Sequence, residues 1–439
     1  MDREELMHSD GTSALETLAV ITPTIMSVVI ATTLVTLLPG SRKWQFAIEF
    51  LVLILPAVLN MTVLSTYIGT VNYVVFILCI LLLLVSKISY SSKYKAQKNE
   101  ERRIPFITNA RATINFLSVL AILAVDFQIF PRRFAKTSTF GFSLMDLGVG
   151  LYIFANSLVS PECLNKKDSL YKILKSCIPL FMLGMLRLLL TKQIDYHVPV
   201  LEYGIHWNFF FTLLFTKCIG SLIIKIAHVK YMQTFSIVIV FIHEFLLQYV
   251  FIDIVMSENK RDNFFLANIE GIVSILGYVS LYVFTVYFGY ILNEEVFGSL
   301  KVKRSLKIFF TYLLITGISA VFSNAKLGTS RRLVNLSYCL WVVFVGLTSA
   351  LLFYAGEIIQ LFTFGKKSDY VKAPYIFQSI NFNALVFFLL GNLFTGIINM
   401  ICDTLTINNI SALLIILCYA FTLTLIMCFL YERKIKFKL

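Results

Sequence analysis

Long apolar runs separated by short charged loops dominate this chain. A membrane-crossing helix needs about 20 mostly apolar residues. Thirteen runs reach or approach that length, near 14–38, 45–64, 67–86, 110–130, 140–160, 171–191, 203–224, 231–252, 268–292, 308–324, 334–363, 378–401 and 407–431. The second and third are nearly contiguous and predict a helical hairpin. The tenth is short and predicts a tilted or partly re-entrant helix, and the eleventh is long enough to overhang. The pattern predicts an all-α, polytopic membrane protein with about 13 transmembrane helices. Residues 1–439 are expected to form a single membrane domain without a separate soluble module.

Charge placement orients these runs. Roughly two-thirds of the 38 lysines and arginines fall in one set of alternate loops, including the segment 87–103 and the C-terminal tail. That bias predicts a cytosolic C-terminus and a lumenal N-terminus. The first residues carry Asp2, Glu4, Glu5 and Asp10 and do not read as a cleaved signal. The final KIKFKL resembles a dilysine retrieval signal out of register, a weak sign of retention in the endoplasmic reticulum.

Composition agrees with this picture. The chain is 58% hydrophobic and 14% charged, against about 45–50% and 25% in soluble domains. The net charge of +13 is spread through loops, which suits anionic headgroups and argues against nucleic acid. None of the eight cysteines forms a CxxC pair, so they read as small buried hydrophobes rather than metal or redox groups.

One stretch defies the charge bias. In AILAVDFQIFPRRFAKTSTFGFSLMDLGVG (121–150), Asp126 ends one apolar run and Asp146 opens the next. Arg132, Arg133 and Lys136 lie between them, in the cation-poor set of loops. Burial alone favours a neutral acid, whereas a nearby cation favours the carboxylate. Pro131 is expected to break the helix just after Phe130 and turn the cations back toward Asp126. The pair then reads either as a poised general base or as a structural ion pair.

Other intramembrane polar groups are Glu49, Arg187, Lys217, Glu244, Glu270 and Glu357, each costly at membrane depth. Glu49 and Arg187 lie near span ends and are expected to reach the headgroups. LEYGIHWNFFFT (201–212) places Glu202, His206, Trp207 and Asn208 together, either as a polar site or as an interfacial aromatic belt. FFLANIEGIVSILGY (264–278) holds Asn268 and Glu270, with Gly271 and Gly277 permitting close helix packing. SINFNALVFFLLGNLFTGIINM (379–400) carries Asn381, Asn383, Asn392 and Asn399, amides that often join helices. His243 lacks an HExxH partner and is expected to be packed and hydrogen-bonded.

AVDFQIFPRRFAKTSTFGFSLMDLGVG closely resembles the signature of the inositol acyltransferase family of glycosylphosphatidylinositol (GPI) anchor synthesis. The similarity continues, in family order, through LEYGIHWNFF, FFLANIEGIVSILGY, RRLVNLSYCLWV, SINFNALVFFLLGN and NLFTGIINM. The resemblance implies a thirteen-helix enzyme of the endoplasmic reticulum. It would transfer a fatty acyl group, usually palmitoyl, from acyl-CoA to the inositol of glucosaminyl-phosphatidylinositol. Acyl-CoA would be a co-substrate, and no metal or other cofactor is implied. The family's catalytic aspartate and lysine fall on Asp126 and Lys136. Arg132 and Arg133 become candidates for phosphate, and His206 and Asn208 for polar parts of a substrate. Asp146, Trp207, Glu270 and Asn399 complete the substrate-binding candidates. Two readings compete: a lipid transporter or flippase using the same intramembrane charges, and another membrane O-acyltransferase with His243 as base in place of Asp126.

Overall fold

A backbone in hydrocarbon must satisfy its own hydrogen bonds, so apolar runs of this length become helices. The computed structural model describes residues 8–90, 105–166, 168–193, 200–257, 262–297, 302–364 and 372–437. Most of the charged 87–103 loop, the acidic residues 2–5 and the last two residues of the tail lie outside these. Apart from two two-residue strands, the described elements are helical. In chain order the main ones are α1 (Ala14–Leu37), α2 (Arg42–Glu49), α3 (Leu55–Met61), α4 (Ile68–Tyr90), α5 (Pro105–Ala124), α6 (Leu147–Ser157), α7 (Leu170–Gln193), α8 (Phe209–Ile226), α9 (Met232–Leu246), α10 (Ile269–Ile291), α11 (Val302–Leu327), α12 (Leu336–Phe364), α13 (Tyr375–Phe382), α14 (Ala384–Ile401) and α15 (Asn409–Glu432). A π-helical segment, Phe50–Ile54, joins α2 to α3 into one span.

Among the described residues, 12 helical stretches are long and apolar enough to cross a membrane. Each coincides with one of the thirteen predicted runs. The remaining run, the sixth, is α7, a helix of 24 residues and therefore about 36 Å long. Lys172, Lys175, Arg187 and Lys192 interrupt its apolar sequence. The tenth run is not short or re-entrant: α11 is a continuous helix of 26 residues. Lys303, Arg304, Lys307 and Lys326 shorten its apolar core without interrupting its backbone.

The chain divides into two compact units. One comprises 1–136, 143–145 and 348–439, the other 137–142 and 146–347. In the first, α5 is the enclosed helix, with 78% of its apolar stretch buried. Gly391 of α14 packs on Val119 of α5, where an added Cβ would lie 2.5 Å from a Val119 methyl. Amides fasten this unit: Asn381 donates to the Thr108 carbonyl and Asn383 to that of Ile435 at 2.8 Å. These are the inter-element bonds expected of membrane asparagines. In the second unit α10 holds the centre. Gly271 gives room for Trp207, and Gly277 for Val334 and His243, so the close packing expected at both glycines is present.

Three intramembrane glutamates have one physical explanation. The first backbone N–H groups of a helix have no intrahelical partner and carry partial positive charge. Glu49, 1% exposed, accepts from the N–H groups of Tyr375 and Ile376 at 2.8 Å each and so caps α13. Glu357 accepts from the N–H of Phe106 at the start of α5. In the second unit, Glu244 accepts from Leu336 N–H at 2.8 Å at the start of α12. Glu49 therefore does not reach the headgroups as its position near a span end suggested. The start of α13 supplies donors inside the protein. Replacing Glu49 by Ala strands two buried N–H groups and is expected to cost about 1–3 kcal/mol. A fall in the unfolding temperature in detergent checks this, and an unchanged temperature contradicts the capping role.

Candidate active site

The Asp126 loop is shaped by its own arginines. Helix α5 ends at Ala124 rather than at the Phe130–Pro131 junction, and residues 125–130 form tight turns. This releases carbonyls that Arg132 then binds. Its guanidinium donates to Val125 O at 2.8 Å and also to Phe127 O. A cation on the carbonyl end of a helix is electrostatically favourable. Burial pulls the Arg132 guanidinium below its ordinary value, and Asp126 opposes that shift. Arg133 reaches the other way, to Glu16 at 2.9 Å and the Ser65 carbonyl at 2.9 Å. The two arginines therefore tie the loop at both sides.

Asp126 itself is buried. Asn399, near the end of α14, donates its amide to Asp126 Oδ2 at 2.8 Å. Nearby, Gln128 donates to Leu405 O at 2.8 Å, fixing the loop to the turn that follows α14. Lys136, half-buried, follows on the same reversal of the chain. Asp126, Arg132, Arg133, Lys136 and Asn399 thus all fall in the first unit. Asn399 differs from Asn381 and Asn383 in binding a carboxylate rather than a backbone carbonyl.

The remaining candidates fall in the second unit. Asp146 accepts from the Thr137 hydroxyl at 2.7 Å and from Arg331 Nε at 2.9 Å. The Arg331 and Asp146 side chains are only 5% and 6% exposed. Arg331 also lies 3.8 Å from Glu202. Burial works against the Arg331 charge, but Asp146 and then Glu202 outweigh it and hold the guanidinium above its ordinary value. Arg332 pairs with Glu270 at 3.0 Å, the carboxylate being fully enclosed. Asp146 and Glu270 are therefore partners of a buried twin-arginine loop.

The polar opening of α8 is organised similarly. Asn208 accepts from Phe210 N–H at 3.0 Å, capping the helix, and donates to Gly184 O at 3.0 Å. Trp207 donates to Thr212 Oγ1 at 3.0 Å and stacks on Phe215. The His206 backbone donates to Asn268 Oδ1 at 2.8 Å, and its ring stacks on Phe264. His243 is buried with Nε2 3.2 Å from the carbonyls of Leu333 and Val334, the packed arrangement expected of it.

Arg331 and Arg332 carry structural roles that sequence reasoning did not assign, although RRLVN lies within a motif it singled out. The available signal was a pair of arginines between two apolar runs on the cation-poor side. Among the described residues no cluster of His, Cys, Asp and Glu is arranged to hold a metal ion.

Comparison with known proteins places the chain in a family. GPI-anchored wall transfer protein 1 of Saccharomyces cerevisiae is 33% identical, over 91% of this chain and 90% of its own length. Glucosaminyl-phosphatidylinositol-acyltransferase PIGW of Bos taurus is 32% identical, over 98% of this chain and 97% of its own. The Mus musculus protein of the same name is 32% identical over 90% of each. A family model described as GWT1 matches residues 2–430, and with relatives aligned almost end to end the chain belongs to the GWT1 family.

Proposed function

We propose that this protein transfers a fatty acyl group to an inositol hydroxyl of glucosaminyl-phosphatidylinositol during GPI-anchor synthesis. Membership of the family and the names of its mammalian relatives support the reaction. The observation that carries the site is Asp126, a buried carboxylate oriented by Asn399 in a loop that Arg132 and Arg133 tie down.

Asp126 accepts the proton of the attacking hydroxyl. The hydroxyl oxygen bonds to the carbonyl carbon of an acyl thioester, with acyl-CoA as donor. The carbon–sulfur bond then breaks, and the sulfur leaves with a proton as free CoA. Lys136 holds Asp126 ionised or stabilises negative charge on the thioester oxygen. Arg132 and Arg133, the latter about one-third exposed, meet a phosphate of CoA or of the phosphoinositide. His206, Trp207, Asn208, Asp146 and Glu270 shape the second unit's polar interior, and contact with substrate there is part of the proposal. The enzyme acts as a single membrane domain in the endoplasmic reticulum, with a lumenal N-terminus and a cytosolic C-terminus. The transfer uses no cofactor beyond the acyl donor.

The test is transfer from labelled palmitoyl-CoA to glucosaminyl-phosphatidylinositol by purified protein. Lys136→Met is expected to lower kcat by roughly 10²-fold or more, the loss typical of a missing charge-stabilising group. Full activity in that variant removes Lys136 from the mechanism. An inactive parent with verified substrates removes the proposed reaction, and movement of lipid between leaflets by that parent then supports a flippase.

A further inference from the structure

The acceptor named for the mammalian relatives is a phosphatidylinositol, anchored in the bilayer by its own acyl chains. Such a molecule reaches a buried carboxylate sideways, through lipid. Beside the Asn399 that holds Asp126, the fold leaves an opening of that kind. Between α14 and α15 lies a groove of about 440 Å³ lined by Phe394, Ile397, Ile398, Leu414, Cys418 and Tyr419, among others. Ile397, Leu414 and Cys418 are exposed along it. Its wall is set by Tyr419, whose hydroxyl donates to Gly391 O at 3.0 Å and lies 3.4 Å from Thr395.

Close in sequence to this lining, Asn399 and Thr404 carry polar atoms that lack partners among the described residues. Asn399 follows Ile398 directly. Its amide nitrogen serves Asp126, while its Oδ1 is buried with no donor there. Thr404 is fully buried in the turn joining α14 to α15, and its hydroxyl is likewise without a partner. A buried polar atom left without a hydrogen bond costs free energy, so these two sites are ones that a ligand can complete. A ring bearing adjacent hydroxyls offers what they need.

We propose that the α14–α15 groove docks an acyl chain of the inositol phospholipid acceptor, with Asn399 Oδ1 and the Thr404 hydroxyl meeting hydroxyls of its ring. This rests on the acyltransferase reading above. One hydroxyl then faces Asp126 while its neighbour donates to Asn399, so the amide is a positioning residue that selects which hydroxyl reacts. The open side of the groove favours the acceptor over the donor. A chain that stays in the bilayer needs contact along one face only, whereas a ligand taken from water is normally enclosed over most of its surface.

Two measurements test this. A glucosaminyl-phosphatidylinositol with a photoactivatable diazirine in one acyl chain is expected to crosslink within 394–422, and labelling confined to other segments overturns the proposal. In the assay, Cys418→Trp fills the groove. Losing contact with about two methylenes should raise the acceptor KM roughly tenfold, with kcat and the donor KM nearly unchanged. Val321→Trp, on the exposed face of α11, serves as the control and should change neither KM. Asn399→Leu should lower kcat and spread acylation over more than one ring hydroxyl.

A higher donor KM in Cys418→Trp assigns the groove to the donor chain and overturns the proposal. So does an unchanged acceptor KM in that variant with an active parent, which leaves the acyltransferase reading standing. An inactive parent whose groove still crosslinks the lipid overturns the acyltransferase reading and retains the groove.

Discussion

Asp126→Asn is expected to lower acyl transfer by roughly 10²–10⁴-fold, the usual contribution of a general base, while the protein stays folded. The substitution keeps the side chain's size. The oxygen of the new amide can still accept from Asn399, which now donates to Asp126 Oδ2 at 2.8 Å. The Arg132 bonds to Val125 O and Phe127 O do not involve the Asp126 side chain. The loop therefore keeps these bonds while it loses a proton acceptor and the negative charge that supports the Arg132 guanidinium. Rates under saturating substrate, beside an unfolding curve for each protein, separate the two effects. Wild-type kcat in a folded Asp126→Asn protein removes Asp126 as base, and His243→Asn then becomes the informative substitution. If only stability falls, Asp126 is a structural partner of its neighbours.

The second large effect is on stability. Arg331→Met leaves Asp146 and Glu202 without their shared cation. Removing one partner of a buried ion pair typically costs about 3–5 kcal/mol, because an uncompensated charge stays behind. Arg331 sits 2.9 Å from Asp146, both nearly enclosed. Adding Asp146→Asn should recover much of the loss, since an amide oxygen still accepts the Thr137 hydroxyl now bound at 2.7 Å. A double-mutant cycle on unfolding temperatures reads the coupling directly. Single and double variants of equal stability would place the cost elsewhere, for example in the Glu202 contact at 3.8 Å.

The intramembrane charges show how far sequence reasoning reached. It identified Asp126, Glu244, Glu270 and Glu357 as groups needing an explanation, because each is costly in lipid. It assigned Glu49 to the headgroups from its place near a span end, yet Glu49 caps α13. It read Arg132 as a candidate for phosphate, and the structure adds that the same side chain closes the end of α5. The misplacement of Glu49 has a physical cause. Position along a span estimates depth, but it says nothing about which helix terminus lies alongside. Asn381, Asn383 and Asn399 were read more successfully, since an amide in a membrane protein often joins separate elements, whereas Asn392 donates to Phe388 O within its own helix at 2.8 Å. Even so, nothing in SINFNALVFFLLGNLFTGIINM distinguishes Asn399 from Asn381 before the chain is folded.

The sequence by itself determined the helices and their approximate ends. In lipid each span satisfies its own backbone, so the information is local and about 20 residues suffice. It also held the AVDF and RRFAK motifs, whose order and spacing mark the family without reference to a fold. Only the tertiary structure decided which charges meet. Asp126 and Asn399 are separated by 273 positions, and Asp146 and Arg331 by 185. No periodicity spans such distances. Partners that far apart are chosen by packing, where small residues such as Gly391 let α14 approach α5, and the polar groups then pair with whatever that packing brings within reach.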